Sequence, residues 1–190
     1  IMIKDLVKKN RSYRRFAEKK QISRQQLEDL VDLARLSSSG ANIQPLKYYL
    51  SHEKDKNDLI FETLTWARYL KDWNGPAKGE RPSAYIIMLG DKNISESFGV
   101  DPGIAAQSIL LGAVEKGMGG CIFGTVAREK LRKLLKIPTQ YAILYVIVLG
   151  YPVEIVQIDE IEKNGSIKYW RDEDQVHHVP KRRLSEIIVS

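Results

Sequence analysis

The stretch EKGMGGCIFG, residues 115–124, decides how this chain is read, because Gly117, Gly119, Gly120 and Gly124 crowd into it. Glycines this dense let something come close to the backbone. A dinucleotide-binding loop is the first candidate. It needs G-x-G-x-x-G after a strand and at the start of a helix, so that helix amides meet the pyrophosphate. Here the order is reversed. Asp101 and Pro102 fit the N-cap and first turn of a helix that runs to Lys116, and GGCIF then reads as a strand. Ile122 stands where the third glycine belongs, and no G-K-[ST] follows. Two readings stay open. Gly117 closes the helix and starts a tight turn, or Gly119, Gly120 and Gly124 let a flat ligand lie along the strand.

Working outward, apolar periodicity predicts a helix over 3–9 and a second one opened by Ser23, with Gln26 three residues on completing a capping box. Leu27, Leu30, Val31 and Ala34 form its buried stripe, and SSSG at 37–40 ends it. LKYYLSH reads as a strand and 56–70 as a helix carrying Leu59, Thr63, Ala67 and Leu70. The breaker-rich segment 71–82 is a loop, followed by the buried strand SAYIIMLG. Thr125 is placed as the cap of a helix over 126–136, before the buried strand AILYVIVLG. Residues 153–190 are polar and irregular until LSEIIVS, which reads as a final strand. Helices between separated buried strands make an α/β or α+β domain.

The chain has 190 residues, 43% of them hydrophobic and 28% charged, which suits one globular domain with a core. Its net charge of +6 permits an anionic partner without requiring one. Cys121 is the single cysteine, so an intrachain disulfide and a cysteine metal cluster are excluded, and a reducing, cytoplasmic setting is expected. No signal peptide or membrane-length apolar run is visible, so a soluble protein without a membrane partner is expected. His52, His177 and His178 lack ligand-like spacing and read as incidental; no metal site is expected.

Three further motifs offer donors. NRSYRRF places Arg11, Ser12, Arg14 and Arg15 within five residues, and guanidinium forks match phosphate oxygens. SSSGANIQP offers Ser38, Ser39, Asn42 and Gln44 around Gly40, and VPKRRL supplies Lys181, Arg182 and Arg183. Each has a plain alternative: a solvated basic turn, a helix stop, a basic tail. A nucleic-acid partner is not expected, because only Tyr13 and Trp170 interleave with the basic residues.

Taken together, RSYRRF, SSSGANIQP, DPGIAAQSILLGAVEKGMGGCIFG and LGYP, in that order, resemble the FMN-dependent nitroreductase family across nearly the whole chain. The resemblance implies an α+β homodimer: a central mixed sheet flanked by helices, one domain over 1–190, and a tail from 153 that crosses to the partner. It implies FMN as cofactor, with NADH or NADPH as donor and a nitroaromatic or quinone as small-molecule acceptor, in a ping-pong reaction. By position, Arg11, Ser12 and Arg14 contact the phosphate, ribityl chain or pyrimidine edge, with Arg15 able to exchange roles with Arg14. Ser38, Ser39, Gly40 and Asn42 reach the flavin of the other subunit, with Gln44 nearby. Ile122 lies against the ring, Phe123 or Gly124 faces N5, and Lys181 and Arg183 bind the phosphate. No side chain is required as a catalytic acid or base, since the flavin carries the electrons. The sequence departs from the family where Ser37 and Ser38 precede Ser39, where Leu46 follows Pro45, and where a brief segment before SAYI trims the lid. Other chemistry on the same fold, such as reductive dehalogenation or flavin fragmentation, and flavin binding without turnover are the alternatives.

Overall fold

The computed structural model describes residues 2–162 and 165–189. Helices α1 (Ile3–Lys9) and α2 (Arg24–Leu36) lead into β1 (Leu46–Ser51) and α3 (Lys54–Phe61). Next come β2 (Ala84–Asp91), α4 (Asp101–Glu115), β3 (Gly119–Phe123), α5 (Arg128–Leu135) and β4 (Tyr141–Gly150). The four strands form one sheet in the order β1-β2-β4-β3, with every strand pair antiparallel. The mixed character expected of this sheet is confined to one parallel bridge, Ser12 with Gly120, at the β3 edge.

Strand alternation sorts the core into two layers. Tyr85, Ile87 and Leu89 of β2 join Val146 and Val148 of β4 under Ile60 of α3 and Leu131 of α5. Ala84, Ile86 and Met88 point the other way, onto Leu27 and Leu30 of α2 and Ile109 and Ala113 of α4. Every residue of β2 is buried, as a strand covered on both faces requires.

The capping box of α2 forms as the sequence predicts: Gln26 N–H donates to Ser23 Oγ at 3.2 Å and Ser23 N–H to Gln26 Oε1 at 2.9 Å. Other boundaries move. Helix α3 stops at Phe61 instead of running to Leu70. Thr63 Oγ1 donates back to the Ile60 carbonyl at 2.7 Å, and the chain turns so that Leu64 bridges Val126. That bridge also delays α5, whose cap is Ala127 and not Thr125. Asp101 is the first helical residue of α4, after Val100 as the cap. Its carboxylate reaches sideways, accepting from Ser39 Oγ at 2.6 Å and Gly40 N–H at 2.8 Å.

The tail is more ordered than its polarity suggests. A second sheet, β5 (Val156–Glu160), β6 (Trp170–Arg171) and β7 (His177–Lys181), has the order β5-β7-β6 and packs on its own chain, with His177 against Arg14 and Arg171 over the Trp73 ring. The segment read as a final strand holds the short helix α6 (Leu184–Ile187).

Candidate active site

The N-terminal segment 11–16 lies along β3. Tyr13 N–H donates to the Gly120 carbonyl at 3.0 Å, and Phe16 bridges Pro152. The glycines permit this approach. A Cβ on Gly119 would stand 2.5 Å from the Tyr13 ring, and one on Gly120 would stand 2.3 Å from the Val148 carbonyl oxygen. Gly117, at φ 73°, makes the left-handed turn out of α4. So the chain itself fills the close approach at Gly119 and Gly120. At Gly124 the nearest atom is the Tyr145 ring at 3.7 Å.

Glu154 anchors this segment from 140 residues away. Its buried carboxylate accepts from the backbone N–H groups of Arg14 and, at 3.1 Å, Arg15, and from Arg171 Nη2 at 3.0 Å. Arg15 is paired with Glu80 at 2.6 Å. Arg14 instead donates from Nη1 to the Ser12 carbonyl at 3.2 Å and to His177 Nε2 at 3.3 Å, with its guanidinium 4.9 Å from the Tyr169 ring centre. Among the described residues no carboxylate side chain lies in salt-bridge range of the Arg11, Arg14 or Lys181 side chains. The Arg11 Nε is buried without a partner there, and burial lowers that guanidinium's pKa.

Two cavities meet at these residues. A narrow one of about 290 Å³ is lined by Arg11, Ser12, Arg14, Ile122, His177 and Lys181. A broad one of about 800 Å³ lies beside Cys121–Thr125, walled by Trp66, Trp73 and Tyr169. Arg14, Ile122 and Tyr169 line both. Ile122 is 41% exposed within a strand whose other residues are buried, so its side chain is an apolar floor open to the cavity. A narrow cationic end joined to a broad aromatic end fits a flat ring system with a phosphate tail.

The structure thus brings together Arg11, Ser12, Arg14, Ile122, Phe123, Gly124 and Lys181. It leaves Arg183 outside, lining neither cavity and bound through Nε to Glu160 at 2.8 Å. Ser38, Ser39 and Gln44 line a separate cavity of about 230 Å³ with Asp101 and Tyr48. Burial and the neighbouring Asp101 push the Tyr48 hydroxyl up to about 12. Gly40 and Asn42 form the 3-10 turn at this loop. Ala41, Asn42 and Gln44 have φ of 47°, 56° and 55°, a cluster of left-handed residues that a plain helix stop does not need.

Glu154, Tyr169 and His177 escaped sequence reading, because each lies far along the chain from the motif it meets. Sequence spacing marks His177 as incidental, but the fold buries it against Arg14. Burial, then Arg14, Arg171 and His178, pushes its imidazole down to about 4, so it is neutral and accepts from Arg14. Burial raises the Cys121 thiol, which makes it a poor nucleophile. No group of three His, Cys, Asp or Glu among the described residues is placed to hold a metal, and no described helix is long and apolar enough to cross a membrane.

Comparison with known proteins gives a consistent result. Residues 7–151 match the family model described as the Nitroreductase family. A protein of Archaeoglobus fulgidus, provisionally named an NADH dehydrogenase/NAD(P)H nitroreductase, is 29% identical over 150 residues, 75% of this chain and 80% of its own. The iodotyrosine deiodinase of Thermotoga neapolitana is 24% identical over 172 residues, covering 80% and 89% of the two chains. The solved structure of an FMN-dependent nitroreductase from Clostridium difficile superposes with a TM-score of 0.63 at 22% identity, over 89% of this chain and 92% of that one.

Proposed function

Since the chain belongs to the nitroreductase family, we propose that it is an FMN-dependent oxidoreductase that passes electrons from NADH or NADPH to a small oxidised acceptor. The observation that carries this reading is the convergence of Arg11, Arg14 and Lys181, from the two ends of the chain, around the floor made by Ile122. In this reading Arg11, Ser12 and Lys181 hold the phosphate, which carries close to two negative charges and needs several donors. Arg14, kept in place by His177 and by the anchoring of its backbone on Glu154, stands at the pyrimidine edge. Ile122 packs on the ring face, and the backbone at Phe123 or Gly124 borders its reactive edge. FMN, when bound, supplies hydride acceptance and electron delivery. The residues bind it, orient it and set its electrostatics. Donor and acceptor occupy the 800 Å³ cavity in turn, so a ping-pong order follows and no separate dinucleotide fold is needed.

The second half of the reading is a homodimer. Ile3, Leu36 and Val100 are 65%, 66% and 69% exposed, as are Leu184 and Ile187 beyond β7 at 69% and 61%. These apolar side chains are the surface on which a second copy would pack, with the end of the tail crossing to it. The strained loop Ser38–Gln44 then serves the partner's flavin.

The test is the visible spectrum of the protein with FMN, before and after NADH or NADPH under argon. Yellow protein that bleaches with either donor is expected. Protein that stays colourless with added FMN would overturn the reading. The likeness to an iodotyrosine deiodinase supports one alternative on the same site, reductive dehalogenation. Release of iodide from an iodophenol by the dithionite-reduced protein, without turnover of nitroaromatics, would favour it.

A further inference from the structure

The broad cavity carries positive charge that the flavin reading does not use. Arg68 and Lys71 line it, together with Arg14, and no acidic side chain among the described residues does. Neither Arg68 nor Lys71 belongs to the narrow cationic end. Both are exposed, and among the described residues neither side chain is within salt-bridge distance of a carboxylate. Arg15 and Arg171 near the site are neutralised by Glu80 and Glu154. Among the described residues Arg68 and Lys71 are not, and unlike the unpaired Arg11, Arg14 and Lys181 they have no part in holding the flavin in that reading.

Their position is fixed by packing. They lie on the segment after α3 that covers the cavity. Trp66 holds this segment down, its ring 4.7 Å from Phe123 of β3 and 6.0 Å from Trp73, both edge-on. Tyr69 N–H donates to Tyr169 Oη at 3.4 Å, and their rings meet at 5.0 Å. Between Trp66 and Arg68 the backbone of Ala67 takes φ 26°, a conformation an L-residue adopts only under constraint. The backbone that carries Arg68 and Lys71 is therefore held at a set place on the cavity wall, in the same lining as the exposed side chain of Ile122.

We propose that this cavity selects acceptors that carry an anionic group on a planar ring, such as a nitrobenzoate, with Arg68 and Lys71 taking the carboxylate. The proposal rests on the flavin reading for the reaction and on the cavity alone for the selectivity. The carboxylate is untouched by the chemistry. Reduction of the nitro group to nitroso takes two electrons and two protons and releases one water. The electrons come from the nicotinamide donor by way of the flavin, one proton from the donor's hydride and one from solvent. The two cations orient the ring with its nitro end toward β3.

The test omits the nicotinamide, itself an anion. FMN-loaded protein is reduced with dithionite under argon and mixed in a stopped-flow cell with 4-nitrobenzoate or with the neutral 4-nitrobenzamide. The ratio of the two reoxidation rates is compared between the natural protein and Arg68→Gln/Lys71→Gln. That ratio should fall about tenfold or more in the variant, one such factor being about 1.4 kcal/mol of differential binding. It should also fall with added salt in the natural protein. A second measurement needs no turnover: quenching of tryptophan fluorescence by benzoate and by benzamide, which should favour benzoate in the natural protein only. A ratio unmoved by the substitutions, or equal quenching by the two compounds, overturns the proposal. So does a preference for NADPH over NADH that disappears in the variant while the nitrobenzoate ratio stays, since the cations would then serve the donor. If the protein takes up no FMN, the flavin reading fails by itself, and the benzoate titration still decides the charge preference.

Discussion

Arg14 and His177, 163 residues apart, meet across 3.3 Å inside the fold, guanidinium Nη1 donating to imidazole Nε2. That direction requires His177 to be neutral with its proton on Nδ1, an atom buried without a partner among the described residues. Burial, with the positive charge of Arg14, Arg171 and His178 added to it, holds its pKa down at about 4. An unfolded histidine, at about 6.5, binds more protons than this one between those values. The contribution of His177 to stability is therefore complete above pH 6.5 and is lost as pH falls toward about 4. Thermal melts across that window should show the decline, and His177→Gln should flatten it. An identical slope in the variant would remove His177 as its cause.

The adjacent His178 should behave oppositely. Asp159 lies 2.7 Å from its Nδ1 and Asp172 lies 3.1 Å from its Nε2, and only an imidazolium donates to both. These bonds, the one to Asp172 foremost, raise its pKa. Its stabilisation is present below the ordinary value of about 6.5 and is lost as pH rises through the folded value. The ring stacks on Trp170 at 4.2 Å with an interplanar angle of 8°. Trp170 emission should change as His178 titrates above pH 6.5, and the change should be absent in His178→Gln.

Glu154→Ala should be among the most damaging substitutions in the chain. The carboxylate is 1% exposed and neutralises Arg171, which is itself 9% exposed. Removing it strands a buried cation and two backbone donors, at a cost of about 3–5 kcal/mol. Urea denaturation should show that loss, and Glu154→Gln a smaller one. A shift under about 1 kcal/mol for the alanine variant would mean that water reaches Arg171.

The glycines should separate by role. Gly120→Ala puts a methyl group 2.3 Å from the Val148 carbonyl oxygen and should destabilise the fold by about 1–3 kcal/mol or more. Gly124→Ala meets only the Tyr145 ring at 3.7 Å and should leave stability within about 0.5 kcal/mol. If Gly124 borders the flavin, its alanine variant should still weaken FMN binding. Paired melts and FMN titrations check both halves.

For the phosphate end, Arg11→Gln and Lys181→Gln should each lower FMN affinity about tenfold or more, as loss of a charge-assisted hydrogen bond implies. Arg183→Gln should change it little, because Arg183 spends its charge on Glu160 at the surface. Fluorescence titration of FMN separates the three, and a larger effect at Arg183 than at Lys181 would reverse the assignment.

Local order was legible in the sequence wherever a segment carried its own instructions. The Ser23–Gln26 capping box, the buried strand ending in Gly90 and the helix–glycine–strand order around Gly117 all depend on neighbours within a few residues, so reading along the chain was enough. Arg11, Ser12 and Arg14 could be named as donors because guanidinium chemistry is the same wherever it sits. What was not legible depended on contacts across the chain. Leu64 pairing with Val126 ended α3 early and moved the start of α5. Glu80 decided between Arg14 and Arg15 by taking the Arg15 side chain, while Glu154 engaged the backbone of both. Glu160 withdrew Arg183 from a cluster that looked uniform in sequence. The sequence by itself determined which charges and which periodicities were available. Only the tertiary structure decided which cations kept their charge unspent, because neutralisation falls off within a few ångströms and those ångströms are set by the fold.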